Sequence, residues 1–561
     1  MYFKSNKICK AASISFVFLS LQLFSQQNNI PEQFDLRNAD GENYVSSVKS
    51  QKGGTCWTHG TMAAIEGNLI ISGVWQNLVS SGDETETEPN LAEYHLDWWN
   101  GFNSYYNEDI YPSTGGLDVH YGGDYRVASA YLSRGDGAVR DKDGQSFDSA
   151  PVHVSDEFHY FYVRDIEWYN AGPNNENINL LKEKIMEHGV LATCMYYSSS
   201  YIDTNYIHYQ PMNTWSDPNH SVAIVGWDDL KRTNAPERGA WLVKNSWGSG
   251  WGNYGYFWIS YYDKWAAHHP EMGAVSFYNV EPMKYDHVYY HDYHGWRDTL
   301  IYISEGFNKF YANGDEKLNA VSFFTAADSV DYVAKVYMNF NGTNLTDIAS
   351  QISGTLQYSG FHTVDLDSSV DLAQGTPFYL YLYLSKGGHA IDRTSKVPVL
   401  LGATATGESV ISKASPEQSY VLDGSEWKDL YDFYQPDSVD WIHTANLCIK
   451  GLTKDVTQTG ITDGYSGIPE DFVLYQNYPN PFNPCTTIRY KIQKRTEVLI
   501  KVFDVCGKEI ITLINGVEDP GEKSVQWQGM DSNGNPVTSG VYIYQITAGS
   551  CIDARKMILV R

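Results

Sequence analysis

Val48-Lys49-Ser50-Gln51-Lys52-Gly53-Gly54-Thr55-Cys56-Trp57 places an amide side chain a few residues before a cysteine, a glycine pair between them and a tryptophan directly after. The run that follows, Thr58–Leu69 (THGTMAAIEGNL), is rich in small and apolar residues and predicts a helix ending near Gly67. A cysteine at a helix N-terminus feels the positive end of the macrodipole, which favours the nucleophilic thiolate. Taken alone, such a cysteine is as often a buried structural residue as a nucleophile. The decision rests on whether a base and an orienting group follow.

Both do. Asn219-His220-Ser221-Val222-Ala223-Ile224-Val225-Gly226-Trp227 is a histidine entering a short apolar strand, and Trp241-Leu242-Val243-Lys244-Asn245-Ser246-Trp247-Gly248 comes next. An imidazole bonded to a thiol can hold a thiolate–imidazolium pair, and an asparagine can fix its tautomer without adding charge. These three motifs, in this order, make residues 31–275 resemble a papain-like cysteine peptidase. The resemblance implies Cys56 as nucleophile, His220 as base and then acid, and Asn245 as the group orienting the ring. It further implies Gln51 in the oxyanion hole with the backbone N–H of Cys56. Trp247 is placed with the substrate-binding residues and shields the His–Asn hydrogen bond from water.

Other residues agree with that family. Pro31-Glu32-Gln33-Phe34-Asp35-Leu36-Arg37 resembles the start of a mature papain-like domain, and Glu66 stands where the central helix carries an acidic residue. Gly122-Gly123 resembles the loop whose backbone pairs with an extended substrate, because glycine lets another backbone approach closely. An ordinary turn is the alternative for that pair. Two departures stand out. Gln51 lies one residue nearer the cysteine than is usual, and glycines replace the cysteine that normally precedes the nucleophile.

The chain of 561 residues is too long for one core and predicts three or four domains. Its 67 acidic residues and net charge of −27 leave no basic stripe for nucleic acid. Of seven cysteines, Cys9 falls in the N-terminal targeting segment. With Cys56 free, the remaining five cannot form a fully paired disulfide framework. No CxxC or Cys/His cluster suggests a metal site, and no cofactor is expected.

Lys4, Lys7 and Lys10 precede an apolar stretch from Ala11 to Phe24, the pattern of a secretory signal peptide over residues 1–25. Cleavage near Ser25 leaves no room for a long inhibitory segment before Pro31. Residues 286–452 hold short strand-like runs such as Phe378–Leu384 (FYLYLYL), broken by turns at Asn341-Gly342, Gly387-Gly388 and Asp423-Gly424. They resemble the lectin-like domain of some bacterial surface papain-like proteins. Sugar binding, a spacer role and protein contacts all stay open for it. Residues 453–472 read as a polar linker. Residues 473–561, with Asn477-Tyr478-Pro479-Asn480-Pro481-Phe482-Asn483-Pro484, Val502-Phe503-Asp504-Val505 and Gly540-Val541-Tyr542, resemble the C-terminal sorting domain of type IX secretion cargo. Asp531–Asn535 reads as a turn, since the closing Glu of an EF-hand loop is absent.

The expected architecture is therefore multidomain: an α+β, two-lobed papain-like peptidase followed by two all-β sandwich domains. The expected function is a secreted cysteine endopeptidase acting through an acyl-enzyme. Its expected partners are protein or peptide substrates, the type IX machinery of a Gram-negative bacterium and cell-surface glycans. The alternative is a surface adhesin or glycan-binding protein whose peptidase domain is weak or vestigial.

Overall fold

A computed structural model describes residues 30–559 apart from 111–114, 398–400, 403–408, 434–440 and 457–471, and several short gaps from 475 onward. The expected signal peptide lies outside the described residues. The chain divides into two compact units between Thr457 and Gln458.

The first unit is built on the helix Cys56–Ile71, whose residues are buried through Leu69. The helix starts at Cys56 itself and passes through Gly67 rather than ending there. That glycine is interior because the helix packs close: a Cβ at Gly67 would lie 2.5 Å from the Val190 side chain. Helices Glu93–Trp99 and Tyr125–Ser133 complete the helical lobe. Asp124 caps the latter by accepting from the Val127 N–H at 2.8 Å.

Facing it, His220–Asp228 pairs antiparallel with Leu191–Met195 on one side and Ala240–Lys244 on the other. Tyr256–Ser260 extends the sheet. These strands read as continuous apolar runs because both faces are covered. Ala274–Pro282 pairs with Phe161–Tyr169 in the same sheet.

The sheet does not stop there. Gly360, Phe361 and His362 pair with Glu167, Ile166 and Asp165, joining the next domain to the same sheet. A second, six-stranded sheet packs over that extension to form the expected sandwich. Phe378–Leu384 shows its two-residue period directly. Phe378, Leu380, Leu382 and Leu384 fill the sandwich core, while Tyr379 and Tyr381 cover Phe307 on the opposite face.

The sequence reading expected residues 286–452 to fold independently, and the structure corrects this. Phe324, Phe361, Ala390 and Leu452 belong to the apolar core that also holds Cys56 and Trp57. Arg164 bridges Glu281 and Asp365 across the junction, and Tyr162 and Thr363 share a hydrogen bond at 2.9 Å. The physical reason is the edge of Phe161–Tyr169, whose backbone groups need a partner once buried. The last strand, Ile449–Asp455, also runs beyond the expected limit of 452 into the segment read as linker.

The second unit is a small sandwich. Phe472–Leu474, Thr486–Ile492 and Gly521–Trp527 form one sheet. Thr496–Asp504, Glu509–Glu518, Gly540–Ala548 and Cys551–Leu559 form the other. Ile488, Tyr490, Ile500, Trp527, Tyr544 and Met557 lie in the core between them. Asp531 accepts from the N–H groups of Asn533 and Asn535, an Asx turn as expected.

Burial of several histidines sets an acid limit on the first unit. Burial lowers His95, His291 and His389 each to about 4, and His294 to about 3. Below about 6.5 the unfolded chain takes up these protons while the folded chain does not. Stability is therefore present above pH 6.5 and is lost as pH falls toward 4, by on the order of 3 kcal/mol per histidine. Thermal melts from pH 7.5 to 4.5 are expected to show a steep fall. A flat profile contradicts this account.

Candidate active site

Cys56 is the first residue of its helix and is wholly buried. Burial pushes its thiol up to about 12, against the backbone N–H groups of Ser221, Trp57 and Cys56 itself, which favour the thiolate. The helix can approach the His220 strand because Gly60 has no side chain: a Cβ there would lie 2.2 Å from Ser221 Oγ. Tyr125 Oη lies 2.6 Å from that oxygen and donates to the Thr193 carbonyl, pinning the level at which helix and strand meet.

His220 Nε2 lies 2.8 Å from Asn245 Oδ1. The same Oδ1 accepts from the Ser246 N–H at 2.8 Å, which identifies it as the carbonyl oxygen. Nε2 therefore carries the hydrogen, and Nδ1 of the neutral ring keeps its lone pair. Burial lowers His220 to about 4, opposed by the Asn245 hydrogen bond. Trp247 stacks on the imidazole at 4.5 Å between centroids, and Tyr197 and Trp251 stand edge-on against Trp247.

Gln51 is tied to the segment that carries Asn245. Its N–H donates to the Ser246 carbonyl at 2.7 Å and its Oε1 accepts from Ser246 Oγ at 2.6 Å. Its Nε2 donates to Gly53 O at 3.0 Å, within its own loop. The glycine loop meets the same site from the other side. Gly122 has φ +103°, which a side chain would strain, and a Cβ on Gly123 would lie 2.6 Å from the Trp57 ring. Gly54 N–H donates to the His120 carbonyl at 2.7 Å, linking the two loops.

Beneath the loops lies a buried charge network that the sequence reading identified only at Glu66. Glu66 Oε1 accepts from Lys49 Nζ at 2.7 Å and from the Leu91 N–H at 2.8 Å, and its Oε2 accepts from Ser46 Oγ at 2.5 Å. Lys49 also meets Glu93 Oε1 at 2.5 Å. Burial works against the Lys49 charge, but Glu66 and Glu93 outweigh it and hold the ammonium above its usual range. Lys244, one residue before Asn245, donates to Ser46 Oγ at 2.9 Å, and burial lowers it to about 8. Lys49 stands in the stretch around Gln51, so a charged residue there was visible. No signal in the sequence links it to Glu93.

Among the described residues Cys56, Cys194, Cys448 and Cys485 are free thiols. The thiols of Cys194 and Cys448 are pushed far up by burial. No helix among the described residues is long and apolar enough to cross a membrane.

Known proteins match this arrangement. A family model described as papain family cysteine protease matches residues 30–86 and 120–274, and one described as lectin like domain matches residues 288–453. A third, FlgD Ig-like domain, matches residues 487–550. Cysteine proteinase 2 of Entamoeba histolytica is 25% identical over 240 residues, 40% of this chain and 62% of that protein. Pro-cathepsin H of Bos taurus is 28% identical over 226 residues, 39% of this chain and 56% of that protein. The chain thus spans about three fifths of the length of these curated relatives. Among solved structures, the clostridial cysteine protease Cwp84 after propeptide cleavage superposes with a TM-score of 0.60 at 23% identity, covering 76% of this chain and 99% of that one. A structure of the cysteine protease and lectin-like domains of Cwp84, described as a surface layer associated protein of Clostridium difficile, gives 0.56 at 22%, covering 76% of this chain and 89% of that one. The chain carries a papain-like cysteine peptidase domain followed, in one continuous sheet, by a lectin-like domain.

Proposed function

We propose that this protein is an exported cysteine endopeptidase that cleaves peptide bonds through Cys56, His220 and Asn245. The observation that carries the reading is the Nε2–Asn245 bond, which leaves the Nδ1 lone pair free to take a proton. The Cys56 thiol gives its proton to Nδ1, and sulfur bonds to the substrate carbonyl carbon. Collapse of the tetrahedral species breaks the C–N bond, and the imidazolium returns the proton to the leaving amine. Water, deprotonated by His220, then hydrolyses the thioester and restores the thiol. Gln51 and the Cys56 N–H stabilise the oxyanion once Gln51 turns from Gly53, and Gly122 and Gly123 pair with the substrate backbone. Trp247 keeps water from the His–Asn bond by its stacking on the ring. Labelling with an epoxide or diazomethyl ketone probe tests the reading. The label is expected on Cys56, and attachment at another cysteine contradicts it.

The lectin-like domain is read as a platform for cell-surface glycans, and residues 473–561 as a type IX sorting domain that passes the protein from the periplasm to the cell surface or medium. The compact second unit and its Asn-Pro-rich start support the sorting reading. Because Asp455 pairs with Glu316, truncation belongs after Val456. That truncation is expected to give a folded protein with the same peptidase activity as the full chain, retained in the periplasm. Normal extracellular delivery of it contradicts the assignment.

A further inference from the structure

A peptidase nucleophile must meet a polypeptide, yet Cys56 is 0% exposed and His220 only 4%. The groups that would receive a substrate backbone are already taken, and by the lectin-like domain. Leu401 N–H donates to the Gly123 carbonyl at 2.9 Å, and Gly123 N–H donates to the Leu401 carbonyl at 3.3 Å. This is an antiparallel bridge, the pairing by which an extended peptide adds to an exposed backbone edge. The next residue continues across the site: Gly402 N–H donates at 2.9 Å to the carbonyl of Asn219, the neighbour of His220. Gly402 then packs directly on Gly54, two residues before Cys56. A Cβ on Gly54 would lie 2.4 Å from the Gly402 oxygen, and a Cβ on Gly402 would lie 2.2 Å from the Gly54 oxygen. Leu401 is fully buried in the same apolar core as Cys56 and Trp57.

The approach is held at its base. Ser395 and Lys396 pair with Val410 and Ser409, and Arg297 clamps this neck through Ser395 Oγ and the Lys396 carbonyl, both at 3.0 Å. On the return side, Asn107 donates to the Ile411 carbonyl and Asp109 accepts from the Lys413 N–H. At Gly402 φ is +98°, a left-handed value that breaks the extended run just where a substrate would continue.

We propose that Leu401 and Gly402 form an internal pseudosubstrate, through which the lectin-like domain holds the peptidase latent until the segment leaves the cleft. The proposal rests on the cysteine peptidase reading but is tested separately from it. A tethered segment competes at a high effective concentration, so a free substrate sees only the small open fraction.

Two full-length variants probe the segment outside the catalytic groups. Leu401→Asp puts a charge in the apolar pocket, and Gly402→Val cannot keep the contact with Gly54. In each, iodoacetamide is expected to alkylate Cys56 about tenfold faster or more than in the parent. Alkylation of Cys194, a buried thiol on the strand Leu191–Met195, is expected to stay slow. Short-peptide cleavage is expected to rise in step. Parent-rate labelling of Cys56 in both variants overturns the proposal, as does equal acceleration at Cys194, which marks general loosening. A cut after Gly402 in the parent that is missing in Cys56→Ala also overturns it, because the segment would then be a substrate. Faster labelling of Cys56 without any peptide cleavage upholds only the covering of Cys56 by Leu401 and Gly402 and removes the peptidase reading, and the latency with it, since alkylation needs access and not turnover.

Discussion

Cys56→Ala abolishes peptide turnover and leaves the melting temperature within a few degrees of the parent. The substitution removes the sulfur proposed to bond the substrate carbonyl carbon and leaves the helix start, the Gly60–Ser221 approach and the surrounding core intact. His220→Ala is nearly as damaging, because nothing then takes the thiol proton. Asn245→Ala is milder. It removes the acceptor that fixes Nε2 as the protonated nitrogen, so the ring samples the wrong tautomer, but nucleophile and base remain. Gln51→Ala removes one oxyanion donor, which typically costs on the order of a hundredfold or more in turnover. Steady-state rates against a broad peptide library check the series. Compared in the Leu401→Asp background, which opens the cleft, equal and measurable cleavage with and without the Cys56→Ala change ends the catalytic assignment.

Glu66→Ala destabilises the first unit by roughly 3–5 kcal/mol, the cost of breaking a buried ion pair from one side. The carboxylate satisfies the Lys49 ammonium, the Leu91 N–H and the Ser46 hydroxyl, and through Ser46 it reaches Lys244. Removing it takes that acceptor from the Leu91 N–H and the Ser46 hydroxyl and leaves Lys49 with Glu93 and the Leu91 carbonyl. Glu66→Gln keeps an acceptor oxygen and is expected to fall between the two. Denaturant or thermal unfolding measures the loss, expected as a drop of roughly 3–6 °C in Tm. A shift under one degree means that the network contributes nothing, whatever its geometry.

Local chemistry wrote much of this molecule into its sequence. The helix behind Cys56, the apolar strand after His220 and the turn bearing Asn245 were legible because each is a short pattern with its own physical cause. So was the two-residue alternation of Phe378–Leu384, which separates core leucines from outward tyrosines. The helix boundary at Gly67 was misread because a glycine within a helix looks like an end until the neighbour that demands it, Val190, is in view.

What the sequence by itself determined is the set of elements and the chemistry each can offer: a helix-start thiol, an imidazole, an amide, and β-rich segments after them. The tertiary structure alone decided which backbone edges meet. Strand edges are chemically alike, every one presenting the same N–H and C=O groups, so no side-chain pattern announces that Phe361 pairs with Ile166 or that Leu401 pairs with Gly123. Those two pairings, between residues far apart in the chain, make one sheet of the peptidase and lectin-like domains and place a segment of the second across the site of the first.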